Sequence, residues 1–254
     1  MMRLALLILM LIGMSHAGDF DEPECMKMSI AFWEKVYTVY DQDDIIAHNP
    51  ETFEIYQVIK KHRSLKVHRA NIKRFRDSME SIDPDIRLRF QSGIKSRFSD
   101  GLKRHMKYRS IIVGELESQG LPLELQLLPH VESSYDPRAR SRVGALGLWQ
   151  IMPRTAWMYG GRRKNLHNVE TATPIAVSIL KHNYEETGSW PMALMAYNHG
   201  LAGVKKAMKS LGTDDVCIVI EQHSSKTFKF ASKNFYAQFL AVKRIMDCMD
   251  KDSR

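Results

Sequence analysis

Apolar residues recur along most of this chain at the three- and four-residue steps of amphipathic helices. No stretch shows a convincing strand-like alternation of apolar and polar positions. The clearest pattern is C-terminal, where Phe235, Phe239, Val242, Met246 and Met249 predict one helix with a single buried stripe. Residues 26–40 read as an amphipathic helix, and a further helix is expected after Pro50 from Phe53, Tyr56, Val58 and Ile59. Residues 60–76 are strongly basic, with Leu65, Ile72 and Phe75 apolar in a helical pattern. That stretch reads as a solvated helix face, with contact to an acidic polymer or a membrane surface as the functional alternative. Beyond Gly101, the positions Leu102, Met106, Val113 and Leu116 predict a helix that stops at Gly120. A helix restarts at Leu121-Pro122, and others are expected over 174–186, 191–197 and 202–210. No Asn-Gly or Asp-Gly stands between two alternating runs as a hairpin signal, so the fold class expected is all-α.

The first residues form an address rather than a fold. Met1-Met2-Arg3 precede an apolar run over 4–14, and Ser15-His16-Ala17 supplies small residues for cleavage after Ala17. This describes a secretory signal peptide, the run being too short to cross about 30 Å of hydrocarbon. The chain has 254 residues, of which 44% are hydrophobic and 26% charged. That balance excludes a wholly disordered chain and a multi-span membrane protein. A net charge of +8 favours an anionic partner. Export makes nucleic acid a poor candidate and an acidic wall polymer or envelope surface a better one. Cys25, Cys217 and Cys248 all follow the cleavage point, where an oxidising compartment would let two of them pair. Cys217–Cys248 is the preferred pairing, because it would tie the final helix to the segment before it; three unpaired thiols are the alternative.

Candidate chemistry begins at Glu132. Leu125 and Leu128 precede it by seven and four positions, so all three fall within about 40° on one helix face. That face is apolar and should turn inward, although Pro129 is expected to kink any helix through it. A carboxyl on such a face is desolvated, which favours its neutral form and suits a general acid. The bland alternative is a helix-end Glu that reaches water or pairs with Arg138 or Arg140. Farther on, Gly144 and Gly147 permit tight turns, Trp149 is either core or a sugar-stacking surface, and Gln150 in an apolar run needs a polar partner. Tyr197 and Asn198 bring polar atoms to the end of an apolar helix. His130 and His199 read as turn or cleft-edge residues.

Together, Glu132-Ser133-Ser134, the run Gly144-Ala145-Leu146-Gly147-Leu148-Trp149-Gln150-Ile151-Met152-Pro153 and Ala196-Tyr197-Asn198-His199-Gly200 resemble the soluble lytic transglycosylase (SLT) domain of glycoside hydrolase family 23. The chain looks most similar to the membrane-bound lytic transglycosylase D-like branch. The resemblance implies a lysozyme-like helical fold. It also implies cleavage of the bond between N-acetylmuramic acid and N-acetylglucosamine in peptidoglycan, closing a 1,6-anhydro ring without water. Glu132 would be the single acid/base, Ser141 would support it or a sugar N-acetyl group, Gln150 and Met152 would line the cleft, and Tyr197 and Asn198 would hydrogen-bond the sugar. No cofactor and no metal are implied, and the histidines show no ligand spacing. Two departures stand out. Phe230-Ala231-Ser232-Lys233 lacks the Glu-Thr pair that many members carry, and residues 161–165 lack the acidic residues often found there.

The expected organisation is a signal peptide over 1–17, an N-terminal helical region over 18–98 and the catalytic domain over 99–254. The location expected is the periplasm or cell envelope, and the partner peptidoglycan glycan strands. An envelope protein docking on the N-terminal region and a membrane-surface contact are further candidates. The rival functions are a hydrolytic muramidase, which normally needs a second carboxylate, and a non-catalytic wall-binding scaffold. For the first, Asp136 is the nearest carboxylate in sequence, but a turn role suits it better.

Overall fold

The computed structural model describes residues 20–252, so the signal-peptide reading of residues 1–17 lies outside it. Helix α1 (Lys27–Thr38) buries Ile30, Trp33, Val36 and Tyr37, the face its spacing predicts. It lies along the final helix, α10 (Phe230–Asp252). Trp33 Nε1 donates to Asn234 Oδ1 at 3.0 Å, satisfying two polar groups that this packing buries.

The helix expected after Pro50 is a strand. Strands β1 (Asp44–His48), β2 (Ile55–Lys60) and β3 (Arg89–Ser92) form an antiparallel sheet in the order β2-β1-β3. Ile45 pairs with Ile59 on one side and Ser92 on the other. All five residues of β1 are buried, and β2 is half-covered on both faces. A strand covered on both faces loses the alternation that would reveal it, and β-branched Ile and Val favour this setting. Helix α2 (Leu65–Ile82), the basic one, buries no residue. It rests over the sheet with Phe75 edge-on to Phe90, ring centroids 6.3 Å apart.

The remainder is helical, and helices make up 63% of the described residues, as the all-α expectation requires of its bulk. Helix α3 (Lys95–Ser118) buries Phe98, Gly101, His105, Ile112 and Leu116, whereas the expected core position Met106 is exposed. A 3-10 turn (Leu123–Leu127) leads into α4 (Leu128–Ser133), and an irregular loop then runs to α5 (Pro153–Met158). Pro129 kinks nothing, because α4 begins beside it and proline suits a first turn. Then follow α6 (Val169–Thr187), α7 (Trp190–His199), α8 (Leu201–Leu211) and α9 (Val216–Gln222). Helices α1, α4 and α7 all pack on α10, whose Phe235, Phe239 and Val242 are buried as predicted; Met246 is half-buried, and Met249, expected in the same stripe, is exposed.

The disulfide joins Cys25 to Cys217, with Cα atoms 6.0 Å apart, and Cys248 is free and exposed. The expected Cys217–Cys248 pairing fails on distance. Cys217 lies near the start of α10, and Cys248 stands on the order of 27 Å along that helix from Phe230. Cys25, just ahead of α1, is carried to Cys217 by the packing of α1 on α10. No described helix is long and apolar enough to cross a membrane.

Candidate active site

Glu132 sits in the last turn of α4, with fully buried Leu125 and Leu128 behind it. The helix ends abruptly, because Ser134 and Tyr135 both adopt left-handed backbone conformations, at φ 52° and 61°. Such geometry is unfavourable for residues other than glycine and persists only where neighbours enforce it. The Ser134 carbonyl accepts two N–H groups from Arg104, at 2.9 and 3.3 Å. Tyr135 is buried, stacked on His105 at 4.7 Å, with its hydroxyl donated to the Gln126 carbonyl. Gly101 of α3 permits this approach, since a Cβ there would lie 2.9 Å from the Ser134 oxygen.

The loop after α4 closes over its end. Ser133 Oγ donates to the Leu148 carbonyl at 2.7 Å and accepts the Asp136 N–H at 3.1 Å. Gly147 has φ 77°, and a Cβ there would stand 1.8 Å from the Leu166 oxygen, so the crossing tolerates only glycine. Leu146 and Ile151 exchange backbone hydrogen bonds at 3.1 Å, and Gln150, at φ 48°, donates its amide to the Gly147 carbonyl at 2.8 Å. Three of the four non-glycine residues with positive φ among the described residues thus lie on α4's end and this loop. Helix α7 completes the clasp: the Tyr197 hydroxyl donates to the Trp149 carbonyl at 2.8 Å. Trp149 itself is core, its ring N–H donated to Thr173 Oγ1 at 3.0 Å.

The result is a dry carboxyl. Glu132 is half-buried by surface, and Tyr37 of α1 and Tyr197 of α7 both lie near enough to feel its charge. Desolvation raises its pKa from 4.5 to about 8, with no neighbouring cation opposing it. Tyr197 and Tyr37 are raised too, first by burial and then by the charge of Glu132, so both phenols stay protonated. A carboxyl that is neutral at pH 7 and flanked by phenols can give a proton and then hold the charge left behind.

The other predicted positions are placed as follows. The Ser141 hydroxyl accepts the Ala145 N–H at 2.9 Å and so braces the loop. Met152 is 40% exposed at the start of α5. Asn198 is exposed, its Oδ1 accepting from Ser232 Oγ at 3.2 Å. Asp136 Oδ1 accepts the Arg138 N–H at 2.9 Å, a turn role. His130 is neither a turn nor a cleft-edge residue. It is buried behind α4, its Nε2 3.0 Å from His105 Nδ1, and burial holds its pKa well below the usual histidine value. Sequence reasoning missed Tyr37, Ser232 and the His105–His130 pair; only Ser232 had a signal, in the Phe-Ala-Ser departure. Among the described residues, no cluster of His, Cys, Asp or Glu could hold a metal ion.

The site is thus a lone desolvated carboxyl at a helix end, clasped by a glycine-dependent loop and a tyrosine within a helical fold. Residues 110–216 match the model of the transglycosylase SLT domain. Over 121 residues, 46% of its length, it is 36% identical to the membrane-bound lytic murein transglycosylase D of Escherichia coli (strain K12). The match spans 27% of that relative, so the chain accounts for about a quarter of its length. An inactive variant of the lytic transglycosylase Slt from Pseudomonas aeruginosa aligns at a TM-score of 0.47 and 22% identity, over 57% of this chain and 25% of its own. The 70 kDa soluble lytic transglycosylase of Escherichia coli aligns at 0.46 and 24% identity, over 55% and 24%.

Proposed function

We propose that this chain is an exported peptidoglycan lytic transglycosylase with Glu132 as its single acid/base. The observation that carries the reading is the Glu132 carboxyl, held neutral near pH 7 by burial alone. The protonated acid gives its proton to the oxygen between N-acetylmuramic acid and N-acetylglucosamine, and the C1–O bond breaks. The resulting carboxylate takes the proton from the muramic acid C6 hydroxyl, whose oxygen attacks C1 and closes the 1,6-anhydro ring. Proton and bond counts balance without water.

A second carboxylate would favour hydrolysis instead. None contributes to the shift of Glu132, and Asp136 is spent on its turn. Tyr197 and Asn198 provide hydrogen bonds along the sugar, Gln150 and Met152 line the cleft, and Ser141 holds the loop in shape. The Cys25–Cys217 disulfide accords with work in an oxidising envelope compartment, reached through the signal peptide of residues 1–17. The test is mass spectrometry of soluble products from purified sacculi, with Glu132→Gln in parallel. Muropeptides lighter by one water than hydrolytic products, and absent with the variant, are expected. Ordinary reducing ends would overturn the transglycosylase step in favour of a muramidase. No products, where a known lytic enzyme works, would point to a scaffold.

A further inference from the structure

A second concavity, of about 520 Å³, opens where the N-terminal region meets α9 and α10. That volume lies in the range of small-ligand pockets. Its walls include Cys25 and Cys217, so the disulfide pins two sides of the opening together. Phe53 and Phe230 supply apolar surface, and Glu221 of α9 and Lys233 of α10 bring opposite charges to it. Neither Glu221 nor Lys233 has an ion pair among the described residues, and Lys233 is half-buried. One wall residue is next in sequence to a partner of Asn198. Lys233 follows Ser232 in the first turn of α10, and Ser232 Oγ lies 3.2 Å from Asn198 Oδ1.

We propose that this cavity binds the peptide stem of the glycan strand, Lys233 taking a carboxylate and Glu221 an ammonium group. The proposal rests on the peptidoglycan reading of Glu132 and extends it to the part of the substrate that leaves the sugar chain. The amide in this wall is spent on the protein itself: Asn234 accepts from Trp33 at 3.0 Å and donates to the Phe230 carbonyl at 2.9 Å. Ser29 donates its hydroxyl to the Met26 carbonyl at 2.8 Å. The Phe230 ring already carries the Arg89 guanidinium, 3.9 Å from its centroid. What the cavity leaves unspent is one cation, one anion and an aliphatic floor, the complement of a short peptide bearing a free amine and carboxylates.

The test titrates a synthetic stem tetrapeptide with a free side-chain amine into the chain carrying Glu132→Gln, by calorimetry. Saturable binding in the millimolar range or tighter is expected. Lys233→Glu and Glu221→Lys should each weaken it about 5- to 10-fold, the scale of one partly exposed charge-assisted contact, and the double exchange should recover part of the loss. With active protein, the ratio of kcat/KM on peptide-bearing strands to that on amidase-stripped strands should fall by a similar factor in each single variant. No saturable binding, or binding indifferent to both exchanges, overturns the proposal. If Lys233→Glu does not fold, Glu221→Gln at the exposed rim carries the same comparison. Failure to cleave either strand would instead count against the transglycosylase reading, and the titration would still judge the pocket.

Discussion

Glu132→Gln changes one proton-binding group and almost no shape, so it isolates the energetic cost of keeping that carboxyl dry. In the unfolded chain the group ionises near 4.5, and in the fold near 8. Between those values the folded state holds a proton that the unfolded state has released, so stability falls as pH rises through this window and levels off above about 8. Each pH unit crossed costs about 1.4 kcal/mol for a fully dry group. The carboxyl keeps a half-buried side, and discounting for solvent there leaves about 2–3 kcal/mol by pH 7. Gln does not titrate. The stability of the variant minus that of the natural chain should therefore grow by about 1.5–2 kcal/mol from pH 5 to pH 7, and further to pH 8. Urea unfolding of both proteins at pH 5, 6, 7 and 8, at one ionic strength, reads this directly, because every other titration cancels in the difference. Catalysis supplies the matching arm: activity of the natural chain should decline with a midpoint near pH 8 as the acid loses its proton. A stability difference that stays constant with pH, or is larger at pH 5, would refute the claim that desolvation governs Glu132.

The clasp around Glu132 makes three more predictions. Gly147→Ala places a Cβ against the Leu166 oxygen at positive φ and should cost about 3 kcal/mol or more, seen as a lowered urea midpoint and lost activity. Ser133→Ala leaves the buried Leu148 carbonyl and Asp136 N–H without their partner and should cost about 1–3 kcal/mol by the same measurement. Reducing the disulfide, which closes a loop of 192 residues in separation, should lower stability by about 2–5 kcal/mol, measured by unfolding with and without reductant.

Much of this molecule is legible in its residues because helices declare themselves by period. The α10 stripe, the α1 face and the apolar face of Glu132 all follow from spacing alone. The sheet is hidden because β1 is buried throughout and β2 is half-covered on both sides, so neither alternates. Met106 sits between buried His105 and half-buried Tyr108 in sequence, yet points to solvent; hydrophobicity named the wrong member of that turn, and a buried histidine took the core position. The disulfide was unreadable for a different reason. Its partners are 192 residues apart and are joined only by the packing of α1 on α10, a tertiary fact with no local trace. His130 reads as a turn or cleft-edge residue in sequence, whereas it lies on the buried face of α4 against His105 and Phe98.

The distribution of labour at Glu132 follows from the same contrast. The stretch that matches the SLT domain, 110–216, supplies the carboxyl, the clasping loop and Tyr197. Tyr37, near enough for the charge of Glu132 to raise its phenol, and Ser232, which holds Asn198, both lie outside it. Tyr37 is buried and packed on Phe98, whose ring meets His130 on the far side of α4. The N-terminal helix thus excludes water from one flank of the site, and it stays there because it packs along α10 and is anchored through Cys25 to α9. A carboxyl raised to about 8 by desolvation alone is sensitive to any added hydration. Loosening α1 should therefore return Glu132 toward an ordinary carboxylate before it disturbs the motifs themselves. The stretch that matches the SLT domain thus carries the carboxyl, and the flanking helices outside that match keep it dry.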